Sequence, residues 1–134
     1  MKLTKLVQVF VLVFVPAFLH AQDQQRIPPG ISIAIKAGNA SELARYMNST
    51  VELLLIDKED FYKKNVAEAI LKDFFNSCRT KDFIIRHQGA RNEAQYAIGN
   101  LKTEKGDFRV YFLLKKVNQD QLIHQIRIES ENEK

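Results

Sequence analysis

Two histidines follow the first 21 residues, and they are the side chains best suited to acid–base chemistry. His124 stands in a strand-like alternation whose apolar members are Leu122, Ile126 and Ile128. Alternate residues of a strand share one face, so the pattern predicts that His124 lies on the packed face of a sheet. An imidazole there suits general-base catalysis, because its pKa lies near neutral pH. A hydrogen-bonded histidine at the core or its rim explains the same pattern without catalysis.

The sequence gives little support for metal or cofactor chemistry. Its only acidic cluster, residues 57–60 (Asp-Lys-Glu-Asp), contains a lysine and has no histidine nearby in the sequence. A metal site needs several His, Cys, Asp or Glu ligands that converge. The motifs of serine hydrolases, zinc proteases, phosphate loops and dinucleotide sites are also absent from the chain. We therefore predict neither a metal nor a cofactor.

Cys78 is the only cysteine of the chain. It follows apolar residues at helical spacing, which predicts a buried thiol at the end of a helix. An intermolecular disulfide or a reactive thiol is the alternative for an unpaired cysteine in an exported protein.

The N-terminus has the pattern of a secretory signal peptide. Lys2 and Lys5 precede residues 6–19, which are apolar apart from Gln8 and are interrupted only by Pro16. Ala21 provides a small residue at the expected cleavage site. The apolar run is shorter than the ~20 residues of a membrane-spanning helix. We predict cleavage after Ala21, export to the periplasm or the medium, and no stable membrane anchor afterwards.

Removing residues 1–21 from the 134-residue chain leaves 113 residues, the size of one ordinary domain. The predicted division is a loose lead-in at 22–26, a single domain at 27–130 and a polar tail at 131–134. The signal carries two of the 20 basic residues and none of the 16 acidic ones, so the remainder is nearly neutral. This balance argues against nucleic acid as a partner.

Turn and capping residues divide the domain into helices followed by strands. Pro28 and Pro29 begin a first helix that ends at Gly38, Asn39 caps a second, and Asn65 caps the third. Residues 50–56 and 82–88 are predicted strands, and residues 57–64 are a charged connection. Three alternating strands fill residues 96–129. The predicted order is α-α-β-α-β-β-β-β, which is typical of an α+β fold.

The turn at residues 103–106 (Thr-Glu-Lys-Gly) fits a three-residue hairpin loop with a glycine bulge. This loop pairs Thr103 with Asp107 and Ile98 with Phe112. The predicted inner face of these two strands then carries Tyr96, Ile98, Phe108, Val110 and Phe112. For the last pair of strands, one permitted register sets Arg109 opposite Glu129 and Tyr111 opposite Arg127.

Five short segments resemble a family of small exported Gram-negative bacterial proteins of unknown function. They are residues 71–75 (Leu-Lys-Asp-Phe-Phe), 87–89 (His-Gln-Gly), 96–99 (Tyr-Ala-Ile-Gly), the 103–111 turn region and 126–129 (Ile-Arg-Ile-Glu). The resemblance extends from about residue 27 to residue 129. It implies the cone fold typified by nuclear transport factor 2 (cystatin-like), in which helices pack into a strongly curved antiparallel sheet. It implies no activity.

The resemblance also implies where a site would lie. In this fold the packed face lines the mouth of a cone, so the candidate ligand pocket consists of Tyr96, Ile98, Val110, Phe112, His124 and Ile126. Such a pocket favours a non-catalytic binding module for a small apolar ligand. The alternative is a small lyase or isomerase in which His124 and Tyr96 are the acid and base.

The polar face of the late strands is the second candidate surface. It carries Arg109, Tyr111, Arg127 and Glu129, and arginine and tyrosine are frequent at protein interfaces. We therefore expect either a self-neutralised solvated face or a docking face for a protein partner. Related folds often form homodimers through this side of the sheet.

Overall fold

The computed structural model describes residues 27–131. The predicted signal peptide (1–21), the lead-in (22–26) and residues 132–134 lie outside the described residues. The helices are α1 (Pro29–Ala37), α2 (Ala40–Ala44) and α3 (Lys64–Cys78). The strands are β1 (Met47–Leu55), β2 (Lys58–Lys63), β3 (Thr80–Arg91), β4 (Ala94–Thr103), β5 (Gly106–Val117) and β6 (Asp120–Ser130).

The six strands form one sheet in the order β2-β1-β6-β5-β4-β3. All neighbouring pairs are antiparallel except β1 and β6, which run parallel. Helix α1 packs on β3, and α3 packs on α2, β1 and β2. The predicted α+β class is confirmed, but the sheet is mixed rather than wholly antiparallel.

Strand β2 occupies the segment that the sequence predicted to be a charged connection, so that prediction is wrong. Four of its six residues are charged, a composition that resembles a loop. Because β2 is an edge strand, almost all of its side chains reach solvent and their charges need no burial.

The first two helix termini follow the predicted capping. Proline occupies the start of α1, and Gly38 ends it with a left-handed φ of 64°. The side chain of Asn39 accepts a hydrogen bond from the Glu42 N–H at 3.1 Å. Among residues 27–131, no helix is long and apolar enough to cross a membrane.

Helix α3 begins one residue before the predicted cap. Lys63 is its N-cap and offers no side-chain cap, so Asn65 lies inside the first turn. Val66 is 42% exposed, and the residues that face the core are Ala67, Leu71, Phe74, Phe75 and Cys78.

The pairing of β4 with β5 differs by one residue from the prediction. Thr103 pairs with Gly106, so only Glu104 and Lys105 form the turn. The buried Thr103 hydroxyl donates to the Gly106 carbonyl oxygen at 2.8 Å and accepts the Lys105 N–H at 3.1 Å. A one-residue shift moves every side chain to the opposite face. Ile98 therefore pairs with Tyr111, not Phe112.

The pairing of β5 with β6 confirms the predicted register. Arg109 lies opposite Glu129, and Tyr111 lies opposite Arg127. Further along, Leu113 pairs with Gln125 but Leu114 pairs with Ile123, so the strand has a bulge at His124.

In the described part of the chain, the sheet has an inner face under the helices and an outer face that no helix covers. The inner face is the core: the rings of Phe74 on α3 and Phe108 on β5 meet edge to face, with centroids 5.2 Å apart. The outer face carries Ile98, Tyr111 and Arg127, and each of them is half-buried.

Candidate functional site

The residues predicted to line one pocket lie on both faces of the sheet. Val110, Phe112 and Ile126 are on the inner face, where their exposures of 1%, 1% and 2% show that they pack into the core. Tyr96 and Ile98 are on the outer face because the β4–β5 register differs from the predicted one. The predicted inner-face placement of those two residues is therefore wrong.

His124 lies in the β6 bulge and does not share the packed face with Ile126 and Ile128. Ile123, not His124, is fully buried there. The half-buried imidazole places Nδ1 2.9 Å from the Leu122 carbonyl oxygen, a contact within its own strand. Strand β5 separates the strand that carries His124 from the strand that carries Tyr96.

The histidine that meets Tyr96 is His87. The Tyr96 hydroxyl lies 3.2 Å from Nε2 of His87, and the two ring centroids are 5.7 Å apart. On its other side, the Tyr96 ring approaches Tyr111 with a centroid separation of 6.3 Å and an interplanar angle of 30°. Sequence reasoning missed this cluster because it depends on pairing between strands.

One residue from every strand contributes to a continuous row across the outer face. In sheet order from β3 to β2, the row reads His87, Ile98, Tyr111, Arg127, Leu54 and Glu59. The adjacent row reads Gly89, Tyr96, Leu113, Gln125, Glu52 and Phe61. Apolar and aromatic side chains thus lie among charged ones over the whole width of the sheet.

Ion pairs connect the charged members of this face. Glu129 lies 3.7 Å from Nη2 of Arg109 and 3.2 Å from Nη2 of Arg127. The other nitrogen of the same guanidinium, Nη1 of Arg127, is 3.7 Å from Glu59. The result is a series of alternating positive and negative side chains within a small area of the outer face.

Glu52 contacts Glu59, the last member of this series of ion pairs. Its pKa is raised above the usual carboxyl value, mainly by a hydrogen bond with Glu59, then by burial and by the neighbouring Glu59 charge. Arg127 opposes the shift. The folded state therefore favours the protonated form of the Glu52 carboxyl.

A shallow cleft of 390 Å³ opens between the side chains of the outer face. It is lined by Ile98, Arg109, Tyr111, Gln125, Arg127 and Glu129. The cleft therefore contains all four residues predicted as an interface, together with one predicted pocket residue.

A second, more apolar cavity of 220 Å³ lies between the β1–β2 turn and α3. Its walls are Leu53, Leu55, Ile56, Asp57, Lys58, Tyr62 and Ile70. It shares no residue with the pocket that the sequence predicted, because the sequence assigned β2 to a loop.

Within residues 27–131, no group of His, Cys, Asp and Glu side chains is arranged to hold a metal ion. Cys78 is buried at the end of α3, as predicted, and burial raises the pKa of its thiol. The thiol is therefore held in its neutral, less reactive form.

Two solved structures of low sequence identity share the fold. A domain of unknown function with a cystatin-like fold from Nostoc punctiforme is 9% identical, with a TM-score of 0.63 over 78% of this chain and 73% of that one. A nuclear-transport-factor-2-like protein of unknown function from Shewanella oneidensis is 15% identical, with a TM-score of 0.59 over 76% and 92% of the two chains. The cone-type fold predicted from the sequence is confirmed.

Family membership rests on closer similarity. No curated protein sequence matches the chain significantly. A DUF4783 family protein from Bacteroides ovatus is 41% identical in sequence. Its crystal structure matches with a TM-score of 0.78 over 81% of this chain and 99% of that one. The profile of the same domain of unknown function matches residues 29–129. The chain therefore belongs to the DUF4783 family.

Proposed function

We propose that this protein is a non-catalytic interaction module that pairs with a second copy of itself through the outer sheet face. The observation that carries the proposal is the alternating charge order of Arg109, Glu129, Arg127 and Glu59 across the outer face of the sheet. A twofold axis sets each patch opposite itself, so an interface of this kind must be self-complementary. A surface of one sign would repel its copy, whereas this one offers each charge an opposite partner.

The burial of the central ion pair supports the same proposal. The Arg127 and Glu129 side chains are 37% and 34% exposed, although no helix covers this face among residues 27–131. Neighbouring side chains already hold them in place, so less side-chain entropy is lost when a second surface docks. Ordered arginine and tyrosine side chains are the residue types that dominate binding energy at interfaces.

Apolar area for burial is available across the outer face. Ile98, Tyr111 and Leu113 are half-buried in the middle of the sheet. Phe61 and Ile84, near the two edges, are 68% and 40% exposed. Adjoining apolar side chains, such as those of Ile98, Tyr111 and Leu113 on β4 and β5, are typical of protein interaction sites.

The protein would act outside the cytoplasm after removal of residues 1–21. The support for this part is the sequence alone: a basic start, an apolar run and a small residue at the cleavage site. An exported protein with a single buried cysteine has no disulfide to stabilise it, so dimerisation would also add stability.

Sedimentation equilibrium of the purified protein over a wide concentration range tests the proposal. We expect a monomer–dimer equilibrium that Ile98→Lys shifts to monomer, since the new ammonium group would have to be desolvated in the cleft. Ile33→Lys is the matched control: it makes the same chemical change on α1, where Ile33 is 65% exposed. That variant should dimerise like the unmodified protein.

Three results would contradict self-association through this face. The first is a monomer at every concentration, and the second is an equal effect of the two lysine variants. The third is a stable complex with a different protein that Ile98→Lys abolishes while the isolated chain stays monomeric.

A further inference from the structure

The cavity between the β1–β2 turn and α3 differs from the packed core around it. Leu53 forms its floor and is 1% exposed. Leu55, Tyr62 and Ile70 pack against the core but remain only partly buried. Their exposed surfaces line the 220 Å³ space, so apolar area stays in contact with water when the cavity is empty. Filling it would remove that area from water, which is favourable.

The turn that forms one wall has a strained backbone. Ile56 has a φ of 63°, in the left-handed region that β-branched residues rarely adopt. Two-residue hairpin turns normally have Gly, Asn or Asp at such positions. The Ile56 N–H donates to the Ile128 carbonyl oxygen at 2.7 Å, which fixes the turn to β6. Strained residues of this kind cluster at ligand-binding sites, and here the strain places an isoleucine side chain, 43% exposed, against the cavity.

Two hydrogen-bond donors lie at the polar boundary of the cavity. Lys58 and Tyr62 lie on the same side of β2, opposite Leu55 and Val51 of β1. Within residues 27–131, neither the Lys58 ammonium nor the Tyr62 hydroxyl has a hydrogen bond or ion pair. A long lysine stem can cover apolar surface while its ammonium stays at the opening.

Two carboxylates lie near these donors, and they restrict where a ligand's charge can be placed. Asp57 is in the turn and contributes to the cavity wall. Asp60 lies between the two donors along β2, but it is not part of the wall, and its oxygen accepts the Phe61 N–H at 2.8 Å. An anionic ligand group is therefore favoured at the Lys58 and Tyr62 side of the opening and disfavoured beside Asp57.

We propose that this cavity binds a small apolar carboxylic acid, with its hydrocarbon part against Leu55, Ile56 and Ile70 and its carboxylate at Lys58 and Tyr62. The cavity is smaller than the ~300–1,000 Å³ of sites for drug-sized ligands. It therefore suits an acid with a short alkyl chain or a single ring. This site is independent of the proposed self-association, because the two surfaces lie on opposite faces of the sheet and share no residue.

Titration of the ¹⁵N-labelled protein with hexanoate, 1-hexanol and hexylammonium tests the proposal. We expect shifts of the backbone amides of Leu55, Ile56 and Ile70, with hexanoate bound most tightly and hexylammonium least. Lys58→Met keeps most of the stem but removes the charge. It should weaken hexanoate binding by about two- to fivefold, the equivalent of one ion pair at an exposed site, and leave 1-hexanol unaffected.

Ile70→Trp fills the cavity and should weaken all binding by more than about tenfold. Val66→Trp is the matched control, because it lies one turn earlier on α3 and is not part of the cavity wall. If Ile70→Trp does not fold, Ile56→Gly removes a wall side chain without adding bulk and should also weaken binding. The proposal is wrong if no probe shifts these amides, if both tryptophan variants bind alike, or if hexylammonium binds best.

Discussion

The ring of Tyr96 lies over Gly89, its direct partner on the edge strand β3. A Cβ atom at position 89 would lie 2.7 Å from the Tyr96 hydroxyl oxygen and 2.8 Å from the ring carbon that carries it. The aromatic ring therefore fills the space that a side chain would take, a packing known to protect glycines at sheet edges. It also keeps Tyr96 flat on the outer face, within reach of His87.

Gly89→Ala should displace the Tyr96 ring from the edge of the sheet. Because Tyr96 is only half-buried, the ring can rotate away, and the cost is the loss of its contact with His87. We expect a decrease of about 0.5–1.5 kcal/mol in the free energy of unfolding, the usual range for one hydrogen bond. Urea denaturation measures this, and the His87 Nε2 chemical shift reports the contact. An unchanged His87 shift would contradict the explanation.

Gly99→Ala should be more damaging than Gly89→Ala. Its Cβ would lie 2.4 Å from two ring carbons of Phe83 and 2.9 Å from the Ile84 carbonyl oxygen, in the interior. Phe83 is 5% exposed and the backbone cannot yield, so overpacking should cost about 1–3 kcal/mol. Urea denaturation of Gly99→Ala, with and without Phe83→Leu, checks the cause. The smaller side chain should recover part of the loss, and strictly additive effects would contradict the steric explanation.

Where a strand is regular, the alternation of apolar and polar residues predicted correctly on which face of the sheet each side chain lies. The β5–β6 register, with Arg109 opposite Glu129, follows from such alternation. Two local features that the alternation does not encode changed the candidate pocket. The residues at 103–106 suit either a two- or a three-residue turn, and the shorter turn moved Tyr96 to the outer face. The bulge at His124 then removed the histidine from the packed row.

The apolar cavity could not be predicted from the sequence, because it depends on an edge strand that has the composition of a loop. Charged residues such as Glu59 are tolerated in β2 since, within residues 27–131, one edge of that strand has no neighbour. The turn before β2 could not be predicted either, because isoleucine rarely adopts the positive φ that Ile56 has here. Both features follow from tertiary contacts, including the anchor of the turn on Ile128.

Ile56→Gly should stabilise the fold even though it removes an apolar side chain. Glycine adopts the left-handed conformation freely, so the substitution relieves strain of order 1–3 kcal/mol. Greater freedom of the unfolded chain offsets about 0.5–1 kcal/mol of this gain. We expect a higher urea midpoint. Asn118→Gly is the control: it has a φ of 57°, but asparagine tolerates that region, so its midpoint should stay nearly constant. A lower midpoint for Ile56→Gly would show that the turn is not strained.

Export should leave a mature chain that begins at Gln22. Intact-mass measurement and N-terminal sequencing of protein from the envelope fraction of an expressing Gram-negative cell check this. Val13→Arg places a charge in the apolar run and should leave the full-length precursor in the cytoplasm, because signal recognition needs an uninterrupted apolar segment. Val66→Arg, a similar change on the exposed side of α3, should be processed normally. A mature protein that retains Met1–Ala21 would exclude a cleaved signal.

Glu52→Gln should make the stability less dependent on pH. The Glu52 pKa is raised in the folded state, chiefly by its hydrogen bond with Glu59, so folding favours the protonated carboxyl. The stabilisation is complete below the ordinary value of 4.5 and is lost as the pH rises through the raised value. The glutamine keeps a neutral hydrogen-bond donor beside Glu59 at every pH.

The variant should therefore be more stable than the unmodified protein at pH 7 and equal to it at pH 4. Because both carboxyl groups are partly exposed to solvent, the difference should be at most about 1 kcal/mol. Urea denaturation at both pH values measures it. Glu68→Gln is the control, since within residues 27–131 Glu68 forms no ion pair and should show no difference between the two conditions. An equal gain at pH 4 and pH 7 would show that the substitution acts through packing and not through protonation of Glu52.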